Sequence, residues 1–271
     1  MLGLTWDGTG YGTDRTVWGG EFLFGDASRF ERVASLFPFT LPGGERAIKQ
    51  TWRLAISLLF HTYGPELLLD LPLFRHVPEP DWKRVLQITP KQQFSPTTSS
   101  MGRLFDGVSA LLGLSYSNTH QAEAAQMLEY AAWRNTAVVR PFEMPVIEGE
   151  PLRLDWRPMI RALVDQFRSG RSAEALAAAF HRTLVQSAID MIHRIGNPAV
   201  VMAGGVFCNR YLTEHLLVRC RQQKIRAFIH SQLPPTDGSL AAGQLWVAAH
   251  GGTISSQTPA FLPQSDPSFP Q

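Results

Sequence analysis

Two aspartates, each in a glycine-rich turn after a short apolar run, constrain the fold of this 271-residue chain most strongly. Asp7 follows Leu-Gly-Leu-Thr-Trp, and Asp237 precedes Gly-Ser. Between them, an apolar run ends in Gly204-Gly205 and leads into a helical pattern. A buried strand that ends in Gly-Gly before a helix exposes backbone N–H groups that favour phosphate. Aspartates in neighbouring turns offer oxygen ligands to a cation or acceptors to ribose, so we predict a nucleotide and metal cleft.

The composition is that of an ordinary globular protein and does not indicate a nucleic-acid or membrane partner. The formal net charge is only +2, whereas nucleic-acid-binding domains carry a strongly basic surface. The sequence shows no apolar run near the roughly 18 residues of a membrane span and no signal-peptide pattern. Its two cysteines, Cys208 and Cys220, form no CxxC pair. We therefore expect a cytoplasmic protein with reduced thiols.

The first two thirds of the chain combine a β-hairpin with helical segments. Residues 2–24 predict a hairpin with a long glycine-rich connection, and residues 29–37 predict a third strand. Helical spacing of apolar residues covers 45–63 and 173–194. Residues 64–98 remain ambiguous because several prolines interrupt their pattern.

The last third predicts alternating strands and helices. The pattern is strand, helix, strand, loop and helix over residues 199–250, and ligands of such folds bind at the carboxyl ends of the strands. Residues 251–271 are rich in Pro, Ser and Gln and predict a disordered tail.

Each candidate site residue also has a purely structural interpretation. Asp7 and Asp237 are typical of Asx-turns, and Asn209 is typical of a helix N-cap. Arg103 and Asp106, three residues apart, are typical of an ion pair on a solvated helix face. The histidines on predicted helices are interpreted as packed or surface residues rather than ligands: His181, His193 and His215.

Six segments occur together, in a fixed order, between residues 2 and 250. They are Trp-Asp-Gly-Thr-Gly-Tyr-Gly (6–12), Trp-Gly-Gly-Glu (18–21), Leu-Pro-Gly-Gly (41–44), Ser-Ser-Met-Gly-Arg-Leu-Phe-Asp (99–106), Gly-Gly-Val-Phe-Cys-Asn-Arg (204–210) and Asp-Gly-Ser-Leu (237–240). In combination they resemble the C-terminal part of the HypF family, the carbamoyltransferases of nickel–iron hydrogenase maturation. The wider superfamily of actin, Hsp70 and sugar-kinase ATPases accounts for the Gly-Gly strand end, but not for Trp-Gly-Gly-Glu or Gly-Arg-Leu-Phe-Asp.

The resemblance implies a reaction and two partners. A YrdC-like domain supplied elsewhere makes carbamoyl-adenylate from carbamoyl phosphate and ATP. The domain similar to this chain then transfers the carbamoyl group to the C-terminal cysteine of HypE. The implied cofactors are an adenine nucleotide (carbamoyl-adenylate, ATP or AMP) and a divalent metal, which can be Mg, Mn, Fe or Zn.

The resemblance also assigns site residues by position. Asp7 and Asp237 match the two metal-binding aspartates of the family, and no catalytic residue is assigned. The residues that match its nucleotide-binding positions are Gly43, Gly44, Gly204, Gly205 and Asn209.

Some family features have no counterpart in this sequence. The family's metal site also uses an HxxxH segment, and no such pair occurs here. His-Gln-Ala at 120–122 stands where the family has Tyr-Glu-Gly, and Ser239 stands where it has glycine. We therefore expect a truncated or partner-dependent form.

The predicted fold is α/β, a ribonuclease-H-like lobe of the actin/Hsp70/sugar-kinase ATPase superfamily. Residues 1–250 form the lobe, with a helical insertion at about 45–194, and 251–271 form the tail. Two alternative functions stay open: a related O- or N-carbamoyltransferase, and a non-catalytic module that docks HypE or a full-length HypF. Trp-Gly-Gly-Glu and Gly-Arg-Leu-Phe-Asp argue against the first, and the missing histidines favour the second.

Overall fold

A computed structural model describes residues 1–26, 29–67 and 70–250, which form a mixed α/β fold. The disordered tail predicted for 251–271 lies outside the described residues. Nine strands join in one sheet within the described part of the chain. They are β1 (Leu2–Tyr11), β2 (Val17–Gly25), β3 (Phe30–Leu36), β4 (Phe39–Thr40), β5 (Thr97–Thr98), β6 (Val146–Ile147), β7 (Leu152–Leu154), β8 (Val200–Ala203) and β9 (Ala227–Ile229).

The centre of the sheet is β1, which pairs with its sequence neighbour on one side and with a distant strand on the other. The strand order along the sheet is β6-β7-β3-β2-β1-β8-β9. Strand β2 is antiparallel to β1 and β3, whereas β8 and β9 run parallel to β1. Alternate residues Leu2, Leu4 and Trp6 are fully buried on one face of β1, as expected from the period of two along a strand. The predicted hairpin, third strand and C-terminal parallel strands are confirmed.

Helices cover the sheet and build a second layer of core. Helix α8 provides most of this layer, since fifteen of its twenty-two residues are buried and it packs against α6, α7 and α9. Within the described residues, no helix is both long and apolar enough to cross a membrane. The helices are α1 (Glu45–Lys49), α2 (Trp52–Tyr63), α3 (Pro72–His76), α4 (Glu79–Ile88), α5 (Met101–Leu111), α6 (Glu123–Arg134), α7 (Arg157–Arg168), α8 (Ala173–Arg194), α9 (Arg210–Gln222) and α10 (Leu240–Ala249).

The single helix predicted over 45–63 is two helices, α1 and α2. A loop from a distant part of the chain binds at the break: Trp52 N–H donates to Tyr116 O, and Asn118 N–H donates to Lys49 O. Thr51 also donates its hydroxyl to Ser115 O at 3.0 Å. These bonds replace the intrahelical ones, and no local sequence pattern announces them.

The segment predicted as a helical insertion also contributes strands. Strand β7 pairs in parallel with β3, and β6 pairs with β7 at the edge of the sheet. Strand β5, within the ambiguous stretch 64–98, pairs with β2 and β4. Strands of two or three residues are too short for a periodic pattern, so the sequence did not predict them.

Candidate functional site

The Asp7 turn interrupts β1 with a bulge, and the residue that begins α5 is hydrogen-bonded to the backbone of this turn. The register of β1 with β2 shifts between Trp6 and Gly10. The Asp7 carboxylate accepts a hydrogen bond from Gly8 N at 2.7 Å. The Ser100 hydroxyl lies 2.8 Å from Asp7 O and 2.7 Å from Gly8 O, and it also caps α5. Ser100 therefore caps the helix and fixes the turn at the same time.

Gly204 and Gly205 bring the end of β8 against the same turn. Gly204 has a φ of +104°, and a Cβ at this position would collide with the Trp6 carbonyl oxygen. Its N–H donates to Pro235 O at 2.8 Å, which ties the Asp237 loop to the end of β8. A Cβ on Gly205 would lie 3.1 Å from Asp7 Oδ1. Asp7 thus lies directly over the Gly-Gly turn, because side chains are absent there.

The first amides of α9 are bonded within the protein, contrary to the argument that they are open to phosphate. Glu129 on α6 accepts hydrogen bonds from Arg210 N at 2.7 Å and Tyr211 N at 3.1 Å. Asn209 accepts one from Leu212 N at 2.8 Å and is the N-cap. A phosphate at this end of β8 would therefore contact the Gly204-Gly205 turn itself. The sequence did not predict the role of Glu129, which lies 81 residues from Arg210.

A buried histidine orients the side chain of Asn209. His181 on α8 is fully buried, and its Nδ1 lies 2.7 Å from Ala177 O. Its Nε2 lies 2.9 Å from Asn209 Nδ2. Burial lowers the pKa of His181 to about 4. The neutral ring therefore donates a hydrogen bond from Nδ1 to Ala177 O and accepts one at Nε2 from the Asn209 amide. The prediction that this histidine is packed rather than a metal ligand agrees with its surroundings.

Two cavities meet at Asp7 and Thr236. The first, called here the Asp237 cavity, has a volume of about 690 Å³ and is lined by Asp7, Gly204 and Asp237, with α10 on one side. The second, the Arg103 cavity, has a volume of about 490 Å³. Its lining includes the following residues: Asp7, Arg103, Asp106, Gln121, Gln126, Glu129, Gly205, Cys208 and Asn209.

Arg103 and Asp106 are buried beneath the Asp7 turn, so the interpretation of a solvated ion pair is wrong. Their exposed fractions are 7% and 0%. Arg103 Nη2 lies 3.1 Å from Asp106 Oδ2. Helix α5 approaches so closely that a Cβ on Gly102 would lie 2.8 Å from Gly8 Cα. Burial raises the pKa of Asp106 to about 6.

Glu21 of the Trp-Gly-Gly-Glu segment has a structural role. One carboxylate oxygen accepts from Gly19 N and Gly20 N, at 2.5 and 2.7 Å. The other accepts from Arg32 Nη2 at 2.9 Å and from the Ser99 hydroxyl at 2.5 Å. Burial raises the pKa of Glu21, although these partners oppose the shift. This carboxylate joins β2, β3 and the segment before α5.

Gly43 and Gly44 lie in a different part of the protein. They line a cavity of about 520 Å³ that shares no lining residue with the other two. Both have positive φ, 87° and 58°, in the turn before α1. The cavity also contains Arg46, Arg53 and Arg84. The structure therefore does not bring these two predicted nucleotide residues to the Asp7 turn.

Asp7 and Asp237 do not by themselves fit a metal ion. Within residues 1–26, 29–67 and 70–250, no three His, Cys, Asp or Glu side chains are grouped so that they could hold one. One Asp7 oxygen already accepts the Gly8 amide. Divalent metals take four to eight ligands, so two carboxylates are an incomplete set.

Cys208 is exposed at the Arg103 cavity, but its surroundings disfavour a thiolate. Burial of the sulfur raises its pKa, and the carboxylates of Asp7 and Glu129 raise it further. Because the thiolate is the reactive form, a nucleophilic role for Cys208 finds no support.

The fold is mixed α/β, with the Asp237 and Arg103 cavities at the carboxyl end of the parallel strand β8. Residues 3–244 match a family model described as the second subdomain of the Kae1-like domain of carbamoyltransferases. The chain belongs to this family.

Individual relatives agree with the family model. The chain is 35% identical to carbamoyltransferase HypF of Synechocystis sp. over 260 residues, 90% of this chain and 33% of that protein. It is 31% identical to a HypF homolog of Cupriavidus necator, covering 94% of this chain and 66% of the homolog. A crystal structure of full-length HypF in a phosphate- and nucleotide-bound form matches with a TM-score of 0.85 and 30% identity, over 92% of this chain and 33% of that one. The chain thus spans about a third of the length of full-length HypF.

Proposed function

We propose that this chain takes part in transfer of a carbamoyl group from carbamoyl-adenylate to the C-terminal cysteine of HypE. The observation that supports this most directly is the convergence of Asp7, Gly204 and Asp237 on the Asp237 cavity, with Gly205 directly against the Asp7 carboxylate. Asp7 belongs to β1, Gly204 follows the parallel strand β8, and Asp237 lies in the loop before α10. The site thus joins residues from both ends of the sequence. Together with membership of a carbamoyltransferase family, this convergence favours an adenylate-binding cleft.

The Asp237 cavity is proposed to hold the adenylate, which in the family is made by a YrdC-like domain. A relative with the same fold was crystallised in a nucleotide-bound form, and the absence of side chains at Gly204 and Gly205 permits close approach of a phosphate to the backbone. Asp237, which lines this cavity, is proposed to accept hydrogen bonds from ribose hydroxyls.

The proposed reaction forms one bond and breaks one. The HypE thiolate attacks the carbamoyl carbon and forms an S–C bond. The bond from this carbon to the phosphate oxygen breaks, and AMP leaves with its electron pair. The chain's proposed contribution is to position the adenylate and exclude water.

The sheet supports a ribonuclease-H-like lobe of the actin, Hsp70 and sugar-kinase type. The strands β3-β2-β1-β8-β9 form a mixed sheet in which β2 alone runs against the others. The longest inserted segment lies between β3 and β8.

We further propose that the chain needs a second lobe to turn over. Helix α10 is apolar yet exposed: the exposed fractions of Leu245 and Trp246 are 72% and 62%. Such a surface marks an interaction site, and its occupant is proposed to be the other half of a Kae1-like domain, closing the Asp237 cavity from the α10 side. Without closure, loss of positioning removes roughly 7–11 kcal/mol of barrier lowering.

Calorimetric titration with AMP and ATP tests the nucleotide site. Gly205→Val places a side chain against Asp7, and we expect it to abolish binding while thermal unfolding stays cooperative. Ala137→Val, at an exposed position outside both cavities, is the control. Equal affinity in wild type and Gly205→Val would place the nucleotide elsewhere.

Mass spectrometry of the HypE cysteine tests transfer. With preformed carbamoyl-adenylate, we expect no carbamoylation by the chain alone and Asp237-dependent carbamoylation once the other half of a Kae1-like domain is added. Robust turnover by the chain alone would disprove the need for a second lobe. Binding of HypE without turnover in either mixture would favour the docking module instead.

A further inference from the structure

Three arginines converge on the cavity of about 520 Å³ beside Gly43, called here the Gly43 cavity. Arg46 comes from α1, Arg53 from α2 and Arg84 from α4. Asp81 is the one acidic residue of the lining, so the formal charge of the lining is +2. Burial lowers the pKa of Arg53, and the charges of Arg46 and Arg84 lower it further against the effect of Asp81. Because like charges repel, an anion bound among these arginines would be stabilised.

Arg53 is fixed in position, yet part of its guanidinium is unused. Its Nε donates to Gln50 Oε1 at 2.6 Å, and its Nη1 donates to Pro42 O at 3.4 Å. The guanidinium lies over the ring of Trp52 at 4.9 Å from the centroid, and a Cβ on Gly43 would lie 3.2 Å from Nη1. Among the described residues, Nη2 has no hydrogen-bond partner. An oriented guanidinium with a free N–H group suits the recognition of phosphate or carboxylate.

Backbone hydrogen bonds join the walls of the cavity, so the arginines face a preformed space. Gly43 N–H donates to Phe94 O at 2.8 Å, and Leu41 N–H donates to Pro96 O at 2.9 Å. Gly44 N–H donates to Leu41 O at 2.9 Å. Both glycine amides are therefore used within the protein. An anion here would be bound by the arginine side chains rather than by the glycine turn.

The rest of the lining is largely apolar. It consists of Val85, Ile88, Phe94 and Pro96, together with Gln93 and the two glycines. The ring of Phe94 is accessible, with an exposed fraction of 49%. Gln93 is the only uncharged polar side chain among the lining residues, so the many polar atoms of a nucleoside would find few partners, which is unfavourable. The lining favours a ligand that carries its anionic group on a simple apolar body.

A phosphate monoester matches the charge of the lining better than a carboxylate does. It carries close to two negative charges at neutral pH, whereas a carboxylate carries one. We propose that the Gly43 cavity binds a phosphate monoester whose organic part is a small aromatic or aliphatic group. Arg53 donates hydrogen bonds to the phosphate, Arg46 and Arg84 neutralise its charge, and the organic part packs on Phe94. Binding there makes and breaks no covalent bond.

The test compares phenyl phosphate with benzoate and with inorganic phosphate. The isotope-labelled chain is titrated with each and followed by NMR at the Gly43 amide and at Arg53 Nε–H. We expect phenyl phosphate to bind about tenfold more tightly than benzoate, which offers fewer charged acceptors. We expect a similar advantage over inorganic phosphate, which has no apolar group to bury.

Two double variants with the same change in net charge locate the site. Arg46→Gln/Arg84→Gln removes two exposed charges of the lining and leaves Arg53 intact. It should weaken phenyl phosphate binding at least about tenfold, because hydrogen bonds between charged groups are lost. Arg140→Gln/Arg182→Gln, at exposed positions outside the Gly43 cavity, should bind as wild type does.

The test of the apolar part is Phe94→Ser, which should reduce the advantage of phenyl phosphate over inorganic phosphate. The Gly43 cavity shares no lining residue with the Asp237 or Arg103 cavity. Gly205→Val should therefore leave phenyl phosphate binding unchanged, and failure of the nucleotide site would not affect this one.

Three results would overturn the proposal. Equal affinity for the three ligands would mean that neither the second charge nor the apolar body is recognised. Equal losses in the two double variants would reduce the effect to nonspecific attraction by the net charge. Chemical-shift changes at Gly204 instead of Gly43 would place phenyl phosphate in the Asp237 cavity.

Discussion

Two buried arginine–carboxylate pairs lie near the start of α5, and they differ in how many hydrogen bonds the protein makes to the carboxylate. Glu21, paired with Arg32, accepts four hydrogen bonds from three parts of the chain. Asp106, paired with Arg103, accepts none among the described residues, although it is equally buried. Arg32 also stacks on Trp18 at 4.1 Å, whereas Arg103 faces a cavity.

The difference separates two uses of the same residue types. A buried carboxylate with every oxygen bonded organises the backbone around it. The buried Arg103–Asp106 pair makes a contact of 3.1 Å between its own charged atoms and organises less of the surrounding backbone. The Trp-Gly-Gly-Glu segment therefore has a structural role through Glu21, whereas the charged pair of Gly-Arg-Leu-Phe-Asp lies buried at the lining of the Arg103 cavity with fewer bonds to the protein.

The largest expected effect on stability comes from removing Glu21, the carboxylate whose oxygens are all hydrogen-bonded. Glu21→Ala leaves Arg32 and two glycine amides without their acceptor, so we expect the free energy of unfolding to fall by about 3–5 kcal/mol. Urea denaturation measures it, with Glu31→Ala at an exposed position of β3 as control. A loss no greater than that of the control would remove the structural role of Glu21.

His181 is a second buried group whose polar atoms are both hydrogen-bonded, and one of its partners is Asn209, which lines the Arg103 cavity. His181→Leu removes the acceptor of Asn209 Nδ2 and should lower stability at pH 7 by about 1–3 kcal/mol. The exposed His193→Leu is the control. Because folding lowers the pKa of His181 from 6.5 to about 4, its contribution is present above pH 6.5 and is lost as pH falls towards 4. His181→Leu should therefore lose less stability on acidification than wild type, and an unchanged slope would contradict the neutral histidine.

Asp106 should show the opposite dependence on pH. Its pKa is raised from 3.8 to about 6 in the folded protein, so protonation favours the fold. This contribution is full below about pH 4 and is lost as pH rises through 6. Asp106→Asn lacks it, so its stability relative to wild type should change by about 1 kcal/mol per pH unit between these values. Parallel curves for the two proteins would mean that Asp106 is not desolvated.

The smallest effect is expected when the incomplete pair is replaced as a whole. Arg103→Met/Asp106→Leu removes both members of a buried ion pair together, so its stability should stay within about 1 kcal/mol of wild type or rise. Arg32→Met/Glu21→Leu should be strongly destabilised in the same urea titration. If both double variants lose the same free energy of unfolding, the two pairs contribute equally to stability and the comparison between them fails.

The sequence predicted the elements with a long or regular pattern. The hairpin, α8 and the strand β8 follow from apolar patterns, and Asn209 was recognised as typical of an N-cap. Asp7 and Gly204-Gly205 were expected to meet because parallel strands end at the same edge of a sheet, and they do. The break between α1 and α2 and the short strands β5 to β7 were missed, since their hydrogen-bond partners are distant in sequence.

By itself, the sequence determined the N-terminal hairpin, helix α8, the C-terminal alternation of strands and helices, the glycine turn at the end of β8 and the family, because these depend on local patterns of residue type. The tertiary structure decided which charged residues are buried, since burial depends on what packs over a helix rather than on the helix itself. Arg103 and Asp106 have the spacing of an exposed pair, yet the Asp7 turn covers them. Likewise, only the folded chain brings Glu129 to the start of α9 and leaves Gly43 and Gly44 at a separate cavity.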